Sequence, residues 1–125
     1  MNSLKIKNLL AHICVDSENI RPELIDKIDY PDLHEILNYL DSGGKVSTVS
    51  SIRKCELCNQ DAGFINYHTD AKWIWPIWVK HYLLEHRLEL PESFLKDVRS
   101  NNYTFDEELV LKIVNQEIDD LELVD

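Results

Sequence analysis

Four residues of this chain have the types and spacing to hold one metal ion. Cys55 and Cys58 form a Cys-x2-Cys, and His81 and His86 follow as a His-x4-His, giving Cys-x2-Cys-x22-His-x4-His in all. Two thiolates on one tight turn can reach a single ion, and a histidine pair spaced by three to five residues completes the tetrahedron that Zn2+ favours. A site closed by four protein ligands has no position for water and is structural, whereas a catalytic zinc keeps one position open. The plainer alternative makes the cysteines ordinary buried thiols and lets the histidines pack or sit on the surface, which leaves both spacings unexplained. His68 is the rival ligand, because it lies at an expected hairpin turn and could replace either histidine.

The histidine spacing sets a condition on the backbone. Residues five apart on a regular helix differ by about 140° in azimuth, so His81 and His86 cannot both aim at one ion unless the helix loosens near His86. Pro91 lies just beyond and disfavours helix in the residue before it.

Other chemistry is weakly represented. No His-x-Glu stands upstream of the Cys-x2-Cys, and Lys54 rather than proline precedes Cys55, so the zinc-deaminase signature is missing. His-Glu-x2-His is absent, since Glu85-His86 runs in the opposite order. Three glycines in 125 residues leave little room for phosphate loops. The expectation is a protein that is not an enzyme; a small zinc enzyme using Glu85 as base ranks third among the functions considered.

Trp73, Trp75 and Trp78, with Phe64, Tyr67 and Tyr82, form the second cluster. Trp73 and Trp75 share one face of a strand and Ile74 takes the other. A base-stacking platform would also need a positive groove, and only Lys45, Arg53 and Lys54 lie near. The tryptophans are therefore read as core. Cys14 is read as a small core residue, and His12 and His34 as surface or partly packed side chains.

Part of this stretch resembles a known pattern. Thr69-Asp70, Trp73, Trp75-Pro76, His81-Tyr82, His86, Leu90-Pro91 and Phe94 are similar to a motif of small, uncharacterised bacterial proteins. In those, Cys-x2-Cys precedes Thr-Asp-Gly, Trp-Pro, His-Tyr, a further His, Leu-Pro and Phe. The likeness covers about residues 55–95. It implies a zinc module and a bacterial origin, and carries no activity with it. This chain has Ala71 where the pattern has glycine, which predicts a turn of different geometry.

The elements needed to position these residues follow from periodicity. Residues 4–14 read as a short helix capped by Ser3, with Leu4, Leu9, Leu10 and Ile13 on one face. A second helix begins at Arg21-Pro22 and covers ELIDKI, and a third follows Pro31 and stops before Ser42-Gly43-Gly44. Residues 45–53 suggest a strand. GFINYH and WIW are expected to pair as a hairpin through a turn at residues 69–72, and Pro76 to open the helix IWVKHYLLEHRL. SFLKDVR is a short helix, and the last runs from Phe105 to about Ile118, capped by Thr104 or Asp106, before a frayed acidic end.

The fold class is thus α+β, with a small β-hairpin zinc-knuckle module, treble-clef-like, flanked by N- and C-terminal helices. One domain is expected, divided into a helical front (1–44), the zinc module (45–90) and a helical, acidic back (91–125).

Charge adds the partner. The formal net charge is -10, and it is unevenly spread. Residues 1–44 hold four basic and eight acidic side chains, residues 45–90 six and five, and residues 91–125 three and ten. Such a surface repels phosphate backbones and attracts basic proteins, although acidity also serves plain solubility. Asp106, Glu107 and Glu108 are favoured by a helix dipole. Asp119, Asp120 and Glu122 have no such local cause and are expected to be the partner-binding residues. The leading function is protein–protein binding, as in an immunity or antitoxin-type inhibitor of a basic toxin, and the alternative is a nucleic-acid-binding zinc module. Three cysteines, an odd count, argue against a secreted disulfide framework. Lys5, Lys7, Asn8 and His12 break the apolar run a signal peptide needs. The expected location is the cytoplasm, with no membrane partner.

Overall fold

The computed structural model describes residues 4–16, 19–46, 51–118 and 121–125. Among them a five-stranded sheet, a two-stranded sheet and five α-helices give a mixed α+β architecture. The large sheet is built from β1 (Leu4–Asn8), β2 (Gly44–Lys45), β5 (Tyr67–Thr69), β6 (Trp73–Pro76) and β7 (Leu121–Val124), in the order β2-β5-β6-β1-β7. β1 runs parallel to both β6 and β7, while β5 is antiparallel to β2 and β6. The small sheet pairs β3 (Ile52–Lys54) with β4 (Asp61–Phe64). The helices are α1 (Leu10–Ile13), α2 (Leu33–Ser42), α3 (Val79–Glu85), α4 (Glu92–Ser100) and α5 (Glu107–Val114), with a 3-10 turn at Pro22–Leu24. Among the described residues no helix is long and apolar enough to cross a membrane.

The expected helical flanks are corrected at both ends. Residues 4–8 form a strand, because Ile6 is buried between exposed Lys5 and Lys7, a period of two instead of 3.6. Asn8 ends that strand by accepting the Leu10 amide through Oδ1 at 3.1 Å, and only then does α1 begin. At the other end residues 121–124 are not a frayed tail; they pair with β1 from Leu4↔Leu121 to Lys7↔Val124. One sheet therefore takes strands from the front, middle and back of the chain. The helix expected over ELIDKI shrinks to the 3-10 turn behind Pro22. α5 stops at Val114, and its cap is Asp106, which accepts the Leu109 amide at 3.1 Å.

The expected hairpin is also redistributed. Its first strand divides: β4 pairs back to β3, and only Tyr67–Thr69 pairs with β6. Pro76 closes β6 instead of opening the helix. Residues 47–50, within the expected strand 45–53, lie outside the described residues.

Trp73, Trp75 and Trp78 are core, packed with Tyr39, Leu40, Tyr82 and Phe94, while Ile74 joins Ile6, Ala71, Val110 and Ile113 on the opposite face. Both strand indoles are satisfied, Trp75 by the Leu40 carbonyl at 3.0 Å and Trp73 by Asp97 at 2.9 Å. The chain threads between these two layers at Gly43 and Gly44. A Cβ at Gly43 would stand 2.8 Å from the Trp75 ring, and one at Gly44 only 2.4 Å from the Val110 side chain. Asp70, buried in the β5–β6 turn, accepts the amides of Lys72 and Trp73 at 2.8 and 2.7 Å and the Tyr39 hydroxyl.

Candidate metal centre

The Cys-x2-Cys sits on the turn joining β3 to β4. The turn closes locally: Cys55 N–H donates to the Gln60 carbonyl and Asn59 N–H to the Cys55 carbonyl, both at 2.8 Å. Asn59 takes the left-handed region (φ 61°), which asparagine tolerates better than most residues. The Leu57 amide points at Cys55 Sγ at 3.3 Å.

His81 lies within α3. That helix ends at Glu85, and His86 occupies its C-cap with φ -125° and ψ 14°. Arg87 then turns left-handed (φ 48°). This early ending lets two histidines five residues apart face one point. The turn is held from outside the helix, since Asp26 N–H donates to the His86 carbonyl at 2.9 Å and Arg87 Nε meets Asp29 at 2.9 Å.

The ligand atoms of Cys55, Cys58, His81 and His86 all lie within 4.8 Å of one another. Cys55 Sγ stands 3.3 Å from His86 Nε2, and Cys58 Sγ 3.4 Å from His81 Nε2. Metal–sulfur bonds of about 2.3 Å and metal–nitrogen bonds of about 2.0–2.1 Å set tetrahedral edges of about 3.4–3.8 Å. The two sulfur–nitrogen separations lie at and just below the lower end of that range, and the four residues could hold one metal ion between them. Burial, and then the neighbouring His86, push His81 below the ordinary imidazole range, which favours the neutral form that binds metals.

His68 is placed elsewhere. It is buried in β5, where its Nδ1 donates to the Gly43 carbonyl at 3.0 Å, and it is not among the clustered ligands. Asp119 and Asp120 lie outside the described residues, and Glu122 is exposed on β7. Cys14 is buried, and His12 lies exposed with its ring 5.4 Å from that of Trp73.

Sequence reasoning missed Glu56, one of the two residues between the cysteines. Glu56 receives the Tyr82 hydroxyl, the Arg53 guanidinium at 3.0 Å and the Ile20 amide at 3.1 Å. Arg53 in turn lies over the Trp78 ring, 4.1 Å from its centroid, and donates to the Tyr82 oxygen at 3.2 Å. Burial alone would raise the Glu56 carboxyl, but the hydrogen bonds from Tyr82 and Ile20 outweigh it and hold it below the ordinary range. Burial, reinforced by that carboxylate acceptor, pushes the Tyr82 hydroxyl up, so it stays a donor. Tyr82 also packs edge-on to His81, with centroids 5.6 Å apart, so this network orients the knuckle against the histidine helix. A signal was present in the sequence, because Arg53 and Glu56 are an opposite-charge pair three residues apart.

No protein-family model matches the chain, and no curated protein or solved structure matches it either. The reading of the site rests on its own chemistry.

Proposed function

We propose that the chain is a zinc-stapled binding protein of the bacterial cytoplasm. Its zinc is structural, and its acidic surface captures a basic protein partner, as an immunity or antitoxin-type inhibitor captures a basic toxin. The observation that carries the first part is the closed donor set: two sulfurs and two imidazole nitrogens within 4.8 Å leave a tetrahedral ion no position for water. Two thiolates with two imidazoles select zinc over the hard cations that prefer oxygen. The order of elements supports a treble-clef-like reading: the Cys-x2-Cys turn, a hairpin, then a helix that brings His81 and His86. Charge supports the partner class, since ten acidic and three basic residues in 91–125 would speed the encounter with a basic protein.

Elemental analysis of the purified protein tests the site. About one zinc per chain is expected for a closed four-ligand centre. Cys58→Ser should lose it, whereas His68→Ala should keep it. Full zinc content in the Cys58 variant would remove the site as drawn. Salt-dependent micromolar binding of DNA or RNA would promote the nucleic-acid-binding module over the basic-partner reading.

A further inference from the structure

β7 ends the large sheet, and the two edges of that sheet differ. The β2 edge is two residues long, finishes on Lys45 and packs at Gly44 against α5. β7 is Leu-Glu-Leu-Val, with none of the lysine, proline or bulge that normally blunts an edge. Its register with β1 puts Leu121 beside Leu4 and Leu123 beside Ile6 on one face. Ile6 is fully buried in the cluster with Val110 and Ile113 of α5. One strand further out that cover stops: Leu121 is 43% exposed and Leu123 54%. Glu122 takes the opposite face, beside Lys5.

We infer that the free edge of β7 is a docking strand for an extended segment of a protein partner in which apolar side chains alternate with lysine or arginine. The incoming strand would pair with the outward backbone groups of β7, lay its apolar side chains over Leu121 and Leu123, and bring its basic side chains to Glu122. Charge selects this occupant over a second copy of the chain. Glu122 is the charged residue of β7, so pairing with a second copy of this strand would bring carboxylate toward carboxylate, while a basic strand is attracted. The inference rests on the basic-partner reading and gives it a place and a geometry.

The experiment titrates the full chain with a synthetic heptapeptide of alternating lysine and valine, and with its glutamate–valine counterpart, at low salt. Backbone amide shifts and hydrogen exchange are followed. The lysine peptide should shift the amides of Leu121–Val124 and slow the exchange of those facing away from β1, and the glutamate peptide should not. Leu123→Lys, and separately Glu122→Lys on the opposite face, should each weaken binding at least tenfold. Shifts confined to another surface would overturn the β7 mode and leave the basic-partner reading standing. Absence of shifts anywhere would overturn both. Concentration-dependent dimerisation through the same amides without peptide would make a second copy the occupant and overturn the inference.

Discussion

The β3–β4 and β5–β6 hairpins follow each other along the chain and are held together by different means. Every residue of β6 is buried, and its partners His68 and Thr69 are buried too. That hairpin is a sheet interior, closed on both faces by side chains from α2, α4 and α5. In the other hairpin Ile52 faces Phe64 in register, yet the pair remains 51% and 48% exposed. A lone two-stranded hairpin is marginal in water. β3–β4 instead carries two of the four candidate metal ligands on its turn, and the Arg53–Glu56–Tyr82 network ties its base to α3. If the four clustered residues bind a metal, the comparison teaches that a crosslink at one end can substitute for a face full of apolar contacts.

Removing the metal is the strongest way to break that comparison. Binding of a structural zinc is folding free energy, on the order of 10–16 kcal/mol in zinc-finger peptides. After chelation, amides of residues 52–64 should exchange freely, while those of Tyr67–Pro76 keep much of their protection. Hydrogen-exchange mass spectrometry with and without chelator reads this directly. A β3–β4 hairpin as protected without metal as with it would show that apolar packing holds it after all.

Trp75→Ala attacks the other hairpin. Its ring is fully buried between Tyr39 and Phe94, with centroids at 6.0 and 5.9 Å, and truncation also strands the Leu40 carbonyl. Large-to-small changes of buried tryptophan cost about 3–5 kcal/mol, so the melting temperature should fall steeply even with metal bound. Phe64→Ser should cost less than about 1 kcal/mol, the range of one cross-strand pair. Equal losses in the two variants, measured by denaturant titration, would erase the distinction between the hairpins.

What could be read from the sequence divides along the same line. A candidate metal site announces itself through residue types at fixed spacing, so the clustering of Cys55, Cys58, His81 and His86 is legible in the sequence. Alternation likewise gave the opposite faces of Trp73 and Ile74. β1 was misread because Leu4, Leu9, Leu10 and Ile13 fit a helical stripe, while the strand is decided by two partners distant in sequence, β6 and β7. β7 was misread for the same reason: a short acidic segment has no local signal, and its pairing with β1 spans almost the whole chain. Long-range pairing overrides local propensity, and nothing near Leu121 encodes it.

The smallest expected effect separates the turns of the two hairpins. Each contains a left-handed residue, Asn59 (φ 61°) at the knuckle and Ala71 (φ 80°) between β5 and β6. Ala71 thus holds a left-handed backbone that glycine adopts without a steric cost. Left-handed backbone costs alanine roughly 1–2 kcal/mol. Against this, the Ala71 methyl is buried with Ile6 and Ile74, which is worth about 0.8 kcal/mol. Glycine would also loosen the unfolded chain, at a cost of about 0.4–1 kcal/mol. These terms nearly cancel, so Ala71→Gly should leave stability within about 0.5 kcal/mol of the parent. Asn59→Gly, at an exposed site with a side chain already tolerant of this region, should also stay within about 0.5 kcal/mol. Ala71→Val is the discriminating change, since a β-branched side chain is a genuine outlier at positive φ and should lose more than about 2 kcal/mol. Denaturant midpoints of the three variants decide the matter. A mild Ala71→Val would mean that the β5–β6 turn relaxes freely, and that the apolar hairpin is no more rigid at its tip than the one that carries Cys55 and Cys58.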